Sequence, residues 1–299
     1  MVRSIVTPEG DPMRAVVIGP LFLDVIFTGL ERLPHAGEEL WSDTCEITAG
    51  GAANQARALA RLGVHTSLCS YVGQDSPGRL VRSILADDDV SHSLLAPIPR
   101  QAVTAAMSLA GDRAMVSNGS NEAPPLSGPA PDLLMGDLRA LAANSEVVAR
   151  WRAAGTLVIA DVGWDESGVW SLTDLEPLAL ADVFVPNEDE ARAYTRTESA
   201  EAAAAALVQR VPHVVVTRGA DGCVGADSHA VTSIPAFPAK AIDATGAGDV
   251  FSAALGWALL DGADLREAMR AASVAGGLAT EAPGGTGAPT VEELRAAGL

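Results

Sequence analysis

Lysine is almost absent from the chain: Lys240 is the only lysine among 299 residues. A Walker-type phosphate loop requires Gly-Lys-Ser/Thr, which Lys240 does not form, so the P-loop class of nucleotide-binding proteins is excluded. Positive charge is scarce overall: 20 Lys and Arg stand against 38 Asp and Glu, for a formal net charge of −18. Since there is also no basic run, we do not expect nucleic acid or an anionic membrane as a partner.

Cysteine and long apolar runs are also scarce. The three cysteines, Cys45, Cys69 and Cys223, lie far apart and form no Cys-x-x-Cys pair, so we expect reduced thiols rather than a disulfide or zinc framework. Residues 1–11 lack the apolar core of a signal peptide, and no run approaches a membrane span. We therefore expect a cytoplasmic protein. The composition, 48% hydrophobic and 4% aromatic, is that of a globular chain.

Short apolar runs alternate with helical patterns along most of the chain. The runs are continuously hydrophobic, which is typical of strands in a parallel sheet that is covered on both faces. The pattern predicts an α/β fold, a three-layer α/β/α domain. The predicted strands are 16–18, 68–72, 157–160, 183–185 and 214–216, and the predicted helices are 52–62, 77–86, 135–150, 199–209, 249–261 and 265–280.

Two segments depart from this alternation of apolar runs and helical patterns. Residues 25–45 and 99–117 are more alternating and contain more turns, and Gly111-Asp112 stands between two short apolar runs like a hairpin turn. We interpret the two segments as a small β-sheet that covers a cleft as a lid. The large domain would then comprise residues 13–24, 46–98 and 118–299.

The most informative motif is Asp-Ala-Thr-Gly-Ala-Gly-Asp at residues 243–249, followed at once by an apolar helical run. The glycine-rich turn would leave N–H groups of Gly246, Ala247 and Gly248 free at a helix start, where they favour an anion. Asp249 could accept a proton from a hydroxyl group held beside them. The pattern also fits an ordinary capped helix. A dinucleotide fingerprint does not fit, because Phe251 stands where a third Gly or Ala is needed.

Three further places carry polar residues beside predicted strands and helices. Residues 49–56, Ala-Gly-Gly-Ala-Ala-Asn-Gln-Ala, place small residues and Asn54 at a helix start, where a ligand could approach the backbone; tight helix packing is the alternative. Asp24 follows the first strand and could hold two hydroxyl groups, or could be a surface acid. Asn187-Glu188-Asp189-Glu190 follows a buried strand; it suits Mg²⁺ bound through water, or equally a solvated helix start.

These motifs, taken together, resemble the ribokinase-like (PfkB) family of carbohydrate and nucleoside kinases. The C-terminal heptapeptide is similar to the family's Asp-x-Thr-Gly-Ala-Gly-Asp signature. Residues 49–56 are similar to its N-terminal Gly-Gly…Asn-x-Ala signature, with Ala49 where the family has its first glycine. The resemblance runs from about residue 14 to 295. It implies a ribokinase-like fold with a β lid.

The resemblance also implies roles for individual residues. Asp249 would be the catalytic base, with Gly246, Ala247 and Gly248 as the anion site, and ATP, Mg²⁺ and, in some members, K⁺ would bind. Glu190 would hold Mg²⁺ through water. A monovalent cation would be held by Asp243, Thr245 and Gly284. Substrate-binding residues would be Asp24, Gly50, Gly51, Asn54 and Asp249. Nucleotide-binding residues would be Asn187, Thr217, Gly219, Thr245, Gly246, Gly248, Ser273 and Gly276.

The resemblance leaves the acceptor open. The function expected first is phosphorylation of a hydroxymethyl group of a sugar, as in ribokinases and fructokinases. A nucleoside kinase is the alternative, for which Phe22, Phe27 and Trp41 are aromatic residues near the lid. A third hypothesis is a member of the family that binds a ligand without catalysis. A sugar phosphate is disfavoured, because Gly51 stands where ribokinases and phosphofructokinases have a lysine. Lid edges in this family often pair, which would give a homodimer through the lid, while the sequence itself leaves the oligomeric state open.

Overall fold

The computed structural model describes residues 12–109, 112–163, 165, 167–282 and 286–299, without the side chains of residues 112 and 113. A large sheet contains nine strands in the order β13-β12-β11-β10-β9-β8-β1-β4-β5. Its strands are β1 Arg14–Ile18, β4 His65–Gly73, β5 Leu95–Ile98, β8 Leu133–Asp137, β9 Leu157–Asp161, β10 Val183–Phe184, β11 His213–Thr217, β12 Cys223–Ala226 and β13 Val231–Ile234.

The described helices lie on both faces of this sheet. They are α1 Ala52–Arg61, α2 Ser76–Asp87, α3 Leu138–Ala143, α4 Ser145–Ala153, α5 Glu188–Thr195, α6 Ala200–Leu207, α7 Ala247–Leu260, α8 Leu265–Ala279 and α9 Val291–Ala296, with 3-10 turns at Leu172–Leu180 and Gly219–Asp221. None of these helices combines the length and the hydrophobicity that crossing a bilayer requires.

Two hydrophobic cores result from the alternation of side chains along the strands. Val17, Leu133 and Ile159 point into one core, together with apolar residues of α1, α2, α7 and α8. Val16, Leu134 and Val158 point to the other face, against α3, α4, α5 and α6. Since successive side chains of a strand alternate between faces, strands that are apolar throughout are buried on both. The predicted three-layer arrangement is confirmed.

Two details of the large sheet differ from the prediction. Residues 133–137, of which 135–137 were predicted to be helical, form β8, which lies between β1 and β9. A short apolar run fits a buried strand or a buried helix equally well, and the pairing with β1 decides for the strand. The sheet is also not wholly parallel, because β12 is antiparallel to both of its neighbours, β11 and β13.

A second sheet of four strands, in the order β3-β2-β6-β7, extends from the large domain. Its strands are β2 Leu21–Leu30, β3 Thr44–Gly51, β6 Ala102–Leu109 and β7 Asp112–Asn118. They extend beyond the segments 25–45 and 99–117, since β2 begins at Leu21 and β3 continues to Gly51. β6 and β7 pair antiparallel, as a hairpin requires, while Gly111 of the predicted turn lies outside the described residues.

Candidate active site

The polar residues that follow the parallel strands meet at one edge of the large sheet. Asp137 ends β8, Asp161 ends β9, and Thr217 ends β11. Asn187 follows β10 and forms an isolated bridge with Thr217, whose N–H donates to the Pro186 carbonyl at 3.0 Å. Because ligands of open α/β sheets bind at the carboxyl ends of the strands, this edge is the expected location of a site.

Helix α7 begins at the predicted anion site. Gly246 precedes it with φ of 77°, a left-handed conformation that glycine adopts without strain, and Asp249 lies in the first turn. The N–H of Ala247 donates to the Ala244 carbonyl at 3.2 Å, so the prediction that this N–H is free is wrong for this structure. The N–H of Gly248 lies in the first turn, where a helix offers no carbonyl partner, and an added Cβ there would meet no atom within 4 Å.

The two sequence signatures come together through side-chain hydrogen bonds. Asn54 Nδ2 donates to Asp249 Oδ2 at 3.0 Å, although the two residues are 195 positions apart. Gln55 Nε2 donates to Asp249 Oδ1 at 3.3 Å and to Asp161 Oδ2 at 3.2 Å. Both carboxylate oxygens of Asp249 therefore receive amide hydrogens from consecutive residues of α1.

Negative charge is concentrated at this point. Burial raises the pKa of Asp161 well above its ordinary value, and the charges of Glu190 and Asp249 raise it further. Carboxylates that repel one another in a protein interior favour the neutral form of at least one of them. The arrangement is suited to a bound cation or to an exchangeable proton.

Asp24 and Phe22 lie against the two glycines that the sequence predicts to contact substrate. A Cβ added to Gly50 would lie 1.7 Å from Asp24 Oδ2, and a Cβ added to Gly51 would lie 2.8 Å from Phe22 Cδ2. Gly51 also has φ of 66°, which disfavours a side chain. The Asp24 carboxylate and the Phe22 ring thus occupy the space that side chains at positions 50 and 51 would fill.

The contact between Asp24 and Gly50 leads to a prediction. Gly50→Ala should push the Asp24 carboxylate aside and raise KM for the acceptor about 10- to 100-fold, the worth of a hydrogen bond to a charged group. Gly163→Ala is the matched control, because an added Cβ there meets no atom within 4 Å. Steady-state kinetics with varied acceptor measure the effect. An unchanged KM in Gly50→Ala would show that Asp24 does not hold the acceptor.

Asn187 and Glu190 form a reciprocal cap at the start of α5. Glu190 N–H donates to Asn187 Oδ1, and Asn187 N–H donates to Glu190 Oε2, both at 2.9 Å. The structural alternative for this motif, a capped helix start, is therefore present. Glu190 is also buried, 9% exposed, and burial raises its pKa to about 7. The cap accounts for the position of this carboxyl group but not for its burial, so a second role is consistent with the structure.

The residues present fit magnesium only as an ion held largely by other ligands. Within the described residues, no group of three or more His, Cys, Asp or Glu side chains is arranged to hold a metal ion. Mg²⁺ usually keeps several waters and binds one or two carboxylates together with substrate phosphates. Glu190 and Asp161 supply carboxyl groups of that kind.

The predicted monovalent-cation residues are partly brought together. Asp243 is 6% exposed, and its Oδ1 accepts hydrogen bonds from Thr245 N–H at 3.0 Å and from Thr245 Oγ1 at 2.8 Å. The N–H groups of Ile242 and Asp243 both donate to the Thr280 carbonyl, which anchors the segment to the end of α8. Gly284 lies outside the described residues.

The remaining predicted nucleotide residues have local structural partners. Ser273 Oγ donates to the Pro235 carbonyl at 2.9 Å. Gly276 lies against α7, since an added Cβ would be 3.3 Å from the Ala247 carbonyl oxygen. Gly219 begins the 3-10 turn after β11 with φ of 52°. Their roles in nucleotide binding stay predictions.

Sequence reasoning missed Gln55 and Asp161. Each had a usable signal: Gln55 adjoins Asn54, and Asp161 is the first acid after a buried strand, the position that singled out Asn187. Asp137 was missed because its strand was predicted to be helical. No local sequence pattern could show that these residues lie close together in space.

Comparison with known proteins identifies the family and the fold. The model of the pfkB family of carbohydrate kinases matches residues 14–291. Ribokinase of Lactococcus lactis subsp. lactis is 28% identical over 299 residues, covering 95% of this chain and 96% of its own. The structure of Arabidopsis thaliana ribokinase complexed with ribose and ATP aligns with a TM-score of 0.80 at 25% identity, covering 96% of this chain and 99% of that one.

A fructokinase double mutant from Vibrio cholerae O395, with fructose, ADP and potassium bound, aligns with a TM-score of 0.78 at 25% identity, covering 95% of this chain and 97% of that one. The family model, the relatives and the fold thus define a phosphotransferase that acts on an alcohol acceptor. The chain belongs to the pfkB family of carbohydrate kinases.

Proposed function

We propose that the protein transfers the γ-phosphoryl group of ATP to a hydroxymethyl group of a sugar, as ribokinases and fructokinases do. The observation that carries the proposal is the hydrogen bond from Asn54 to Asp249, which joins the acceptor segment to the first turn of α7. The buried Oδ1 of Asn54 has no partner among the described residues, so it can accept a hydrogen bond from a sugar hydroxyl. Asp24 beside Gly50 supplies a second polar contact.

In the proposed reaction, the acceptor oxygen attacks the γ-phosphorus while its proton passes to the Asp249 carboxylate. The new P–O bond forms as the bond to the β,γ-bridging oxygen breaks, and ADP leaves with that electron pair. The first turn of α7, at Gly246 and Gly248, stabilises negative charge on the transferring group through its N–H groups and the helix dipole. Closure of the small sheet over the acceptor would exclude water, which would otherwise hydrolyse ATP.

ATP and magnesium complete the proposal. Asn187, Thr217 and Gly219 lie at the ends of β10 and β11, where the phosphates would lie, and Glu190 would hold Mg²⁺ through water. Mg²⁺ would neutralise charge on the phosphates, which is needed in a chain of net charge −18. Asp243 and Thr245 are the proposed ligands of a monovalent cation such as K⁺. All three cysteines are free thiols, which supports a cytoplasmic location.

The test is ADP release with Mg²⁺, with and without K⁺, against a panel of ribose, fructose, other sugars, ketodeoxy acids and nucleosides. Turnover with one sugar, together with the phosphorylated product identified by mass spectrometry, is the expected result. Turnover restricted to nucleosides would favour the alternative below. ATP binding without turnover across the panel would contradict the proposed reaction and indicate a ligand-binding protein.

A nucleoside acceptor is the second candidate, and one observation favours it. The Phe22 ring lies beside Gly51 and next to the Asp24–Gly50 contact, which would suit a ligand with a ring and neighbouring hydroxyl groups. Trp41 is 86% exposed and Phe27 lies further along the small sheet, so neither is placed with Phe22. A single aromatic wall supports a nucleoside less than a pair of rings would.

We further propose a homodimer through the small sheet. Ile47, Val25, Ala105 and Val116 lie side by side in register across all four strands and so share one face. Ile47 is 47% exposed and Val116 is 64% exposed. An apolar row across an extended sheet is typical of a surface that another protein copy covers.

The dimer leads to a measurable expectation. Ile47→Glu combined with Val116→Glu should convert a dimer to a monomer, because two buried like charges on each copy would face their counterparts. Light scattering coupled to gel filtration would measure the mass over a range of concentrations. Val231→Glu, which changes an exposed valine on the large sheet, is the control and should leave the mass unchanged. A wild-type monomer at all concentrations would contradict the proposal.

A further inference from the structure

We propose that Gln55 is a positioning residue for Asp249: its side-chain amide joins the Asp249 carboxylate to Asp161 at the end of β9 and sets the direction in which Asp249 faces the acceptor hydroxyl. The inference rests on the proposed function, since it assigns a task to a side chain next to the proposed base. It adds a residue for which neither signature predicts a role.

The geometry accounts for all the hydrogen-bonding capacity of the Gln55 amide nitrogen. Its two hydrogens go to two different carboxylates, to Asp249 Oδ1 at 3.3 Å and to Asp161 Oδ2 at 3.2 Å. Asn54 Nδ2 holds the other oxygen, Asp249 Oδ2, at 3.0 Å. The Asp249 carboxylate is therefore held at both oxygens, which leaves it no free rotation about its last bond.

The far end of this contact is anchored by the main chain. Asp161 Oδ1 accepts a hydrogen bond from Val162 N–H at 2.7 Å, so the carboxyl group that Gln55 binds is itself held at the end of β9. Gln55 is 6% exposed and lies on α1, a helix packed against α7. A chain of contacts thus runs from the sheet through the buried amide to the first turn of α7.

An amide suits this position for an electrostatic reason. Gln55 stands between the carboxyl groups of Asp161 and Asp249, two acceptors that cannot hydrogen-bond each other when both are ionised. A neutral group that donates to both carboxylates joins them without adding charge or taking up the proton that Asp249 must accept. Without the donor, the Asp249 side chain would turn away from Asp161 and so away from its present direction.

Loss of the Gln55 hydrogen bonds should slow the chemical step rather than weaken substrate binding. A reacting group displaced by about 1 Å can lose roughly 10²-fold in rate. Gln55→Met keeps the length of the side chain but has no N–H to donate. It should lower kcat by about 10- to 100-fold, with KM for ATP and for the acceptor unchanged, because the buried Gln55 presents little surface to either.

The control is a second buried glutamine with a structural task. Gln101 is 5% exposed, accepts from Gly73 N–H at 2.9 Å, and donates to the Leu21 carbonyl at 2.6 Å. Gln101→Met should lower the melting temperature without a comparable loss of kcat. In the Asp249→Asn background, Gln55→Met should have no further effect on residual turnover, because no base is left to position.

Three results would overturn the inference. They are an unchanged kcat in Gln55→Met, a loss confined to KM, and an equal loss of kcat in Gln101→Met. If Gln55→Met does not fold, Gln55→Leu, which also has no N–H to donate, takes its place and should give the same loss of kcat with unchanged KM.

A crystal structure of Gln55→Met separates this inference from the proposed function. The expected result is an Asp249 carboxylate that has rotated or adopts two orientations, whatever substrate the enzyme uses. An Asp249 carboxylate in the same place as in the wild type would overturn the positioning role. Lack of turnover by the wild-type protein across the acceptor panel would instead contradict the proposed reaction and leave this structural outcome to decide on Gln55.

Discussion

Asp249→Asn should lower kcat by roughly 10²–10⁴, the usual contribution of a general base. Asparagine has nearly the same shape and can still accept a hydrogen bond from Asn54, so the first turn of α7 should keep its structure. It cannot take the proton of an acceptor hydroxyl. KM for ATP should change little, because the N–H groups that face the phosphates belong to the backbone. A coupled assay of ADP release measures both constants.

The control for this variant lies at the other end of the same helix. Asp261 is the exposed C-cap of α7, and Asp261→Asn removes the same charge without touching the site. Its kcat should equal that of the wild type. Near-wild-type turnover in a folded Asp249→Asn protein would show that the proton goes elsewhere and would rule out the mechanism.

The second large effect concerns the pH dependence of stability. Burial raises the pKa of Glu190 from an ordinary 4.5 to about 7 in the folded protein. Because the folded state binds this proton more tightly than the unfolded chain, the protonated carboxyl adds stability below pH 4.5. That contribution is lost as the pH rises through about 7. The free energy of unfolding should fall by about 3 kcal/mol across this window from Glu190 alone.

Glu190→Gln removes this contribution. Glutamine retains an oxygen that can accept from Asn187 N–H, so the cap of α5 should persist while the titration disappears. Urea unfolding between pH 4.5 and 8 should give a smaller fall in stability than in the wild type. Asp161 titrates in the same direction, and because the Glu190 charge contributes to its raised pKa, Glu190→Gln should reduce the Asp161 part of the fall as well. Glu198→Gln, an exposed change just beyond the end of α5, should keep the wild-type slope, and parallel curves for wild type and Glu190→Gln would contradict the expectation.

The alternation of apolar runs and helical patterns was enough to predict the three layers, because a strand buried on both faces leaves a continuous hydrophobic run. It failed at residues 133–137, where a five-residue strand runs into a helix capped by Asp137. A run that short contains no period that separates a strand from a helix. Only the pairing of β8 with β1 and β9 decides its structure.

The candidate site likewise has parts that the sequence predicted and parts that it did not. Residues 243–249 and 49–56 were recognisable because glycine, an acid and an amide stand at fixed local spacings, and the backbone turns that they form are short-range. The bonds from Asn54 and Gln55 to Asp249 join positions 195 and 194 residues apart, so no spacing along the chain could predict them.

By itself, the sequence determined the fold class, the family signatures and the helix that begins beside Asp249, since each depends on residues within a few turns of one another. The tertiary structure alone decided which carboxylates share a site, that Gln55 lies between two of them, and that Phe22 lies against Gly51. The physical reason is that burial and charge repulsion depend on distance in space. Those distances are set by the packing of α1 and α7 on the sheet.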